Sequence, residues 1–203
     1  MPEITLSYQM LALVGVAAYL LGSVPFGIVI ARLFGLGDLR KIGSGNIGAT
    51  NVLRTGNKLA AFLTLVLDAG KGGIAVLVAR AFFGSEDAAQ LAGLAAFLGH
   101  LFPVYLGFKG GKGVATFLGT VLALAWPVGL AACATWLCVA VAFRYSSVAA
   151  LAAVASLPVW AMNLGHGKML ILSIVLMLLV YVRHWENIQR LKRGEETKIG
   201  GSK

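Results

Sequence analysis

Two stretches of this chain set cations and small hydrogen-bonding side chains on glycine-rich backbone, a combination suited to anionic ligands. The first runs Gly43-Ser44-Gly45-Asn46-Ile47-Gly48-Ala49-Thr50-Asn51-Val52-Leu53-Arg54. Its small residues let backbone approach a ligand, and Ser44, Asn46, Thr50 and Asn51 add polar side chains. A turn of this kind entering a helix points N–H groups at an anion. Arg54, about one helical turn past Asn51, adds a planar fork matched to phosphate. The second stretch runs Phe108-Lys109-Gly110-Gly111-Lys112-Gly113-Val114-Ala115-Thr116. Two ammonium groups on a glycine turn at the start of a helix suit a second phosphate. Each stretch also has a plainer reading: glycines that only permit turning and packing, and lysines that only orient a membrane segment.

Familiar motifs are excluded by their context. Gly43, Gly45 and Gly48 match the G-x-G-x-x-G spacing and Asp68 follows at about the right distance, but no strand precedes them and Asp68 falls in an apolar run. Lys112 is followed by glycine and lacks the P-loop spacing. The acyltransferase pattern H-x-x-x-x-D is absent, since Tyr105, Ile171 and Gln189 stand where the acid would be. Cys133 and Cys138 fall on different faces of a helix, so no disulfide or metal site is expected, and no cofactor is implied.

Three further features carry chemistry. Asp68 and Lys71, three apart, share a helix face inside an apolar run. Either charge alone costs roughly 2.5–3.5 kcal/mol at a bilayer centre, so they are expected to pair and face inward, either as a supporting ion pair or as a ligand contact. His100 sits at the polar break Gly99-His100-Leu101-Phe102-Pro103, where a packing histidine is the ordinary alternative to a site residue. In Arg183-His184-Trp185-Glu186-Asn187-Ile188-Gln189-Arg190-Leu191, His184, Asn187 and Leu191 share one helical face. The plainer reading there is a solvated anchor helix.

The elements that must position these groups belong to a membrane protein. Of 203 residues, 59% are hydrophobic and 12% charged, about half the charged share of a soluble domain, so an ordinary cytosolic domain is excluded. Lys and Arg number 17 against 8 Asp and Glu, a formal charge of +9. In this setting the excess reads as loops facing an anionic membrane surface or anionic substrates, and not nucleic acid. Apolar runs lie at Met10–Leu33, Leu59–Phe83, Ala88–Phe108, Val114–Phe143, Ser147–Leu164 and Met169–Val182. The first lacks the basic flank of a cleaved signal peptide and reads as a retained span. A crossing helix needs about 20 residues, and the fourth run would be about 45 Å long, so it is predicted to break at Pro127. The resulting halves are short and need tilt, bilayer thinning or burial by neighbours.

That split makes seven spans, and the cations favour it. Arg32, Arg40, Lys41, Arg54, Lys58, Lys109, Lys112, Arg144 and the tail cations then share one face, leaving Arg80 and Lys168 opposite. With six spans the bias vanishes. The expectation is an all-α integral membrane protein of seven transmembrane helices, with the N-terminus outside and the C-terminus cytoplasmic. It forms a single polytopic domain over residues 1–203, with a flexible tail from about 192.

In combination these segments resemble one family, the bacterial acyl-phosphate:glycerol-3-phosphate acyltransferases of the PlsY type. The resemblance is carried by GSGNIGATNVLRTG at 43–56, DAGKG at 68–72, GHLFPVYLGFKGGKGVAT at 99–116, RYSS at 144–147 and RHWENIQRLKRGEE at 183–196. It implies a multi-pass protein of the bacterial cytoplasmic (inner) membrane with its active site on the cytoplasmic face. The implied reaction moves a fatty acyl group from acyl phosphate to the 1-hydroxyl of glycerol 3-phosphate. It yields lysophosphatidic acid and phosphate, the first step of phospholipid synthesis.

By motif position, the resemblance implies that Ser44, Arg54, Lys112, His184 and Asn187 hold glycerol 3-phosphate and the reacting phosphate. Asn51, Lys109 and Thr116 would complete the cradle, with Gly43, Gly45, Asn46, Thr50, Gly110, Gly111 and Gly113 shaping it. Arg144 would support it from the next turn, and Asp68, Lys71 and His100 from within the membrane. A separate phosphate acyltransferase supplying acyl phosphate is the implied functional partner.

An acyl phosphate is a mixed anhydride with a stable leaving phosphate, so direct attack without a covalent enzyme intermediate is expected. Cations would offset charge and proximity would supply much of the remainder. His184 or Asn187 would orient the hydroxyl, and the base is His184 or a substrate phosphate oxygen. An organic-phosphate transporter and a scaffold for anionic headgroups are the readings from other classes. Clustering of the motifs on one face weighs against the first, and the Ser/Asn/Thr/His set against the second.

Overall fold

The computed structural model describes residues 3–200, and all regular structure among them is helical. In order these are α1 (Tyr8–Gly22), α2 (Phe26–Leu33), α3 (Ala49–Leu53), α4 (Lys58–Phe83), α5 (Glu86–Leu101), α6 (Val114–Leu124), α7 (Trp126–Phe143), α8 (Ser146–Asn163), α9 (Leu170–Arg183) and α10 (Trp185–Lys192), with short 3-10 turns between some of them. Five stretches are long and apolar enough to cross a membrane: Tyr8–Leu33, Lys58–Phe83, Glu86–Leu106, Trp126–Phe143 and Ser146–Asn163. A sixth is reached only by pairing α9 with α10 across a bend of 59°.

The breaks differ from those the apolar runs suggest. The first run is interrupted at Ser23–Pro25, because Pro25 cannot continue the α1 ladder. The third ends as a helix at Leu101 rather than Phe108, so the lysine loop begins deeper than hydropathy indicates. The fourth breaks at Ala125, whose backbone is extended, while Pro127 sits in the first turn of α7. A proline there removes an N–H that would be unpaired anyway.

α6 has 11 residues, about 16 Å of helix, too short to cross alone. It is held by burial instead: Thr116, Phe117, Gly119, Thr120, Val121 and Leu124 are all buried. Its contact with α4 is made of small residues. A Cβ on Gly72 would lie 2.6 Å from the Thr116 carbonyl oxygen, and one on Gly119 would collide with the Ala69 carbonyl. Such close approach is how helices gain packing where lipid offers no hydrophobic drive. The α1–α5 pair is similar, with Gly22 against Ala96 and Gly99 against the Tyr19 carbonyl. A core of Phe97, Phe117, Val121, Leu157 and Leu176 joins α5, α6, α8 and α9.

The tail makes defined contacts. Residues 195–199 are tied down: Glu196 accepts from Ser147, Asn187 and Arg190, and the Ile199 N–H donates to the Arg144 carbonyl at 2.6 Å. The last three residues of the expected flexible tail, 201–203, lie outside the described residues.

Candidate active site

The first loop is organised around one amide. Asn51 is buried, and its Oδ1 accepts from the Ser44 N–H at 3.0 Å, the Ser44 hydroxyl at 3.4 Å and Arg54 at 3.5 Å. Its Nδ2 donates to the carbonyls of Leu39 at 2.9 Å and Asn46 at 2.7 Å. Asn51 therefore spends its hydrogen-bonding capacity on shaping the loop. Gly43 lies at φ +53°, and a Cβ there would stand 2.5 Å from Asn51 Oδ1 and 2.7 Å from Arg54 Cδ. The missing side chain is what lets Arg54 fold back over the turn. α3 has only five residues, so its dipole adds little and Arg54 is the main positive charge that this loop brings.

The lysine loop is clamped from two sides. The Gly110 N–H donates to Leu101 and the Gly111 N–H to His100, at 3.2 and 3.1 Å. From α9, Arg183 donates to the carbonyls of Gly110 at 3.0 Å and Gly111 at 3.1 and 3.2 Å. Gly113 starts α6 at φ +78° with the Phe97 ring against it. Lys112 emerges from this clamp to donate to Asn187 Oδ1. Burial, reinforced by Arg190, pushes its pKa down to about 8.

His184 stands at the bend between α9 and α10 and is buried. Its Nδ1 lies 2.9 Å from the Val180 carbonyl. A carbonyl only accepts, so Nδ1 carries the proton and Nε2 keeps a lone pair. Next along α10, Asn187 is held at both ends, by Lys112 on Oδ1 and by Glu196, which accepts from Nδ2 at 2.6 Å. Burial alone would raise the Glu196 pKa, but hydrogen bonds from Asn187, Arg190 and Ser147 outweigh it, leaving the carboxyl below its ordinary range.

A cavity of about 520 Å³ collects these groups. Loops and helix ends contribute Ser44, Asn46, Thr50, Asn51, Arg54, Lys112, Gly113, His184 and Asn187, while helix interiors contribute Phe62, Leu65, Leu118 and Trp136. Asp68 and His100 also line it. Lys71 does not: its ammonium pairs with Asp68 at 2.9 Å and donates to the Val24 carbonyl at 2.8 Å, the carbonyl exposed by the α1–α2 break.

Several expected cradle residues stand elsewhere. Thr116 is buried at the α4–α6 contact against Gly72, because its position on α6 faces α4. Lys109 is exposed outside the cavity, and its carbonyl accepts from Arg40 at 3.5 Å. Arg144, the C-cap of α7, holds the tail through Ile199. Gly43, Gly45, Gly110 and Gly111 shape the loops without lining the cavity. Conversely, Glu196 and Arg183 bind site residues directly, although the sequence singled out neither. In the sequence Arg183 reads as one of the tail cations that set sidedness, and Glu196 stands in a polar run with no periodicity to place it. Among the described residues no group of His, Cys, Asp and Glu could hold a metal ion.

Comparison with known proteins agrees with this architecture. The family model "Glycerol-3-phosphate acyltransferase" matches residues 12–194. A glycerol-3-phosphate acyltransferase of Jannaschia sp. (strain CCS1) is 67% identical over 199 residues, covering 98% of each chain. One from Dinoroseobacter shibae is 62% identical over 203 residues, covering 100% of both. Two crystal structures of PlsY (YgiH), described as an integral membrane glycerol 3-phosphate acyltransferase, cover 93% of this chain and 95% of theirs. The glycerol 3-phosphate form superposes with TM-score 0.87 at 44% identity, and the lysophosphatidic acid form with 0.86 at 43%. With cations, amides and a histidine gathered at one cavity among apolar helices, and with relatives matched end to end, this chain is an integral membrane member of the glycerol-3-phosphate acyltransferase family.

Proposed function

We propose that this protein transfers a fatty acyl group from acyl phosphate to the 1-hydroxyl of glycerol 3-phosphate, releasing lysophosphatidic acid and inorganic phosphate. The observation that carries the reading is the mixed lining of one cavity: Arg54, Lys112, His184 and Asn187 with Phe62, Leu65, Leu118 and Trp136. Such a space suits a donor with an anionic head and a hydrocarbon tail beside a small anionic acceptor. The family membership and the two ligand forms of the neighbouring structure support glycerol 3-phosphate as acceptor and lysophosphatidic acid as product.

The two phosphorylated substrates bring about four negative charges near neutral pH. In this reading Arg54 and Lys112 offset them, with Ser44 and Thr50 donating to phosphate oxygens and Asn51 holding the loop. Binding an anion raises the pKa of Lys112 and keeps it charged. The 1-hydroxyl oxygen attacks the acyl carbonyl carbon, the bond from that carbon to the phosphate oxygen breaks, and phosphate leaves. The hydroxyl proton passes to His184 Nε2 or to a phosphate oxygen of a substrate. Asn187, fixed between Lys112 and Glu196, orients the acceptor. Acyl phosphate is already activated by its stable phosphate leaving group, so in this reading the transfer requires no covalent enzyme intermediate.

The proposal extends to placement. Seven membrane passages are obtained when the short, buried α6 and the bent α9–α10 unit join the five long stretches. The positive-inside bias supports an external N-terminus and an active site on the cytoplasmic face of the inner membrane. A cytoplasmic or peripheral enzyme making acyl phosphate would then supply the donor. None of the lining residues is among Arg80, Glu86, Asp87, Gln90 or Lys168 at the opposite helix ends, so a through-path for transport finds no support. Purified protein should form lysophosphatidic acid from glycerol 3-phosphate with acyl phosphate, and not with the matching acyl thioester. Equal use of the thioester would overturn the donor assignment.

A further inference from the structure

Asp68 and His100 line the cavity, and the transfer described above assigns them no step. We infer that they are positioning residues which set the lysine loop, and through it Lys112. The inference rests on the acyltransferase reading for its kinetic consequences and on geometry for its substance.

The chain of contacts begins at the α1–α2 break. The Val24 carbonyl fixes the Lys71 ammonium at 2.8 Å, and that ammonium fixes Asp68 Oδ1 at 2.9 Å. The same oxygen faces His100 Nδ1 at 3.6 Å, close packing just beyond hydrogen-bond length. Both side chains are buried, at 2% and 5% exposure, so the imidazole has little freedom to turn. Its far edge is the floor of the loop. A methyl placed on Gly111 would meet Cε1 at 3.1 Å and Cδ2 at 3.2 Å, and would collide with Nε2. The Gly111 N–H also bonds the His100 carbonyl, so one residue supports the loop through both backbone and ring. Arg183 presses from the other side on the Gly110 and Gly111 carbonyls. Gly111 precedes Lys112 directly, so the height of the ring sets where the ammonium emerges.

This makes a pairwise claim that a general packing role does not. Gly111→Ala should displace the loop because of the ring beneath it, and His100→Ala should leave the loop without its floor. In the double variant the added methyl occupies space vacated by the ring. Phosphate release is measured on full-length protein in detergent, with each substrate varied. Gly111→Ala should raise KM for one phosphorylated substrate about fivefold or more and leave the other within about twofold, whereas a general loss of folded enzyme lowers kcat alone. The double variant should retain at least about threefold more kcat/KM than the product of the single effects. Single effects that simply multiply would overturn the proposal.

Asp68→Asn provides a second check: its effect should be large alone and small on the His100→Ala background. A readout that needs no turnover is the rate at which an amine-reactive probe modifies Lys112, relative to Lys168, which is exposed away from the cavity. His100→Ala should change that ratio about threefold or more, and an unchanged ratio would overturn the positioning role. If wild-type protein transfers no acyl group, the functional reading fails while the labelling ratio still decides this one.

Discussion

Substitutions at Glu196 should detach the tail by amounts that the hydrogen bonds set. The carboxylate accepts from Asn187 Nδ2 at 2.6 Å, Ser147 Oγ at 2.7 Å and Arg190 Nε at 2.8 Å. Hydrogen bonds to a charged group contribute about 1.5–3 kcal/mol each. The Arg190 pair belongs near the low end because that side chain is 24% exposed against 8% for Glu196. Glu196→Ala leaves the donors of Asn187 and Ser147 unpaired and should cost about 3–5 kcal/mol. Glu196→Gln keeps one acceptor oxygen but turns an amide toward Arg190, a loss of about 1–2 kcal/mol. Cleavage by trypsin after Lys198 reads the detached population when detachment is fast. The rate should rise about 5- to 30-fold for the glutamine variant and more than about 100-fold for alanine. Activity should fall in the same order, since the Asn187 amide loses the partner that fixes it. Alanine and glutamine variants that both match wild type in cleavage and phosphate release would refute the reasoning.

Lys112→Ala should lower kcat/KM by at least about 100-fold, with helical content by circular dichroism unchanged; full activity would remove Lys112 from the site. The free-enzyme pKa of Lys112 is lowered to about 8, and anions bind its charged form. Acceptor affinity should therefore fall as pH rises through about 8, a fall that Lys112→Arg abolishes because arginine stays charged. Gly43→Ala meets both a positive φ and the packed Arg54; it should cost about 1–2 kcal/mol of local strain and weaken substrate affinity, measured as KM, more than it weakens folding.

The residues most legible in the sequence are those whose chemistry is out of place in an apolar chain. Ser44, Arg54, Lys112, His184 and Asn187 come from three separated segments, and all line one cavity. The apolar runs located the helices, because burial in lipid leaves little ambiguity about long hydrophobic stretches. Their breaks were harder to place. The break expected at Pro127 falls at Ala125, because a proline sits readily in the first turn of the helix that follows it. Thr116 is close to Lys112 along the chain, but its motif does not give the helix face, and the α4 glycines claim that face. Glu196 was hidden for the opposite reason: its partner Ser147 lies 49 residues away, and no local pattern in a polar tail records such a contact. Asn51 was legible as polar and important, while its use as the internal brace of the loop depends on the carbonyls of Leu39 and Asn46.

The central claim is a transfer between two phosphorylated substrates in one cavity, without an acyl-enzyme. It is tested most directly by measuring phosphate and lysophosphatidic acid together during the first turnover of concentrated protein. With acyl phosphate and glycerol 3-phosphate both present, the two products should appear in equal amounts and with one rate. With acyl phosphate alone, no burst of phosphate should occur. A phosphate burst matching the enzyme concentration without acceptor, or phosphate release with no acylated product, would contradict the account.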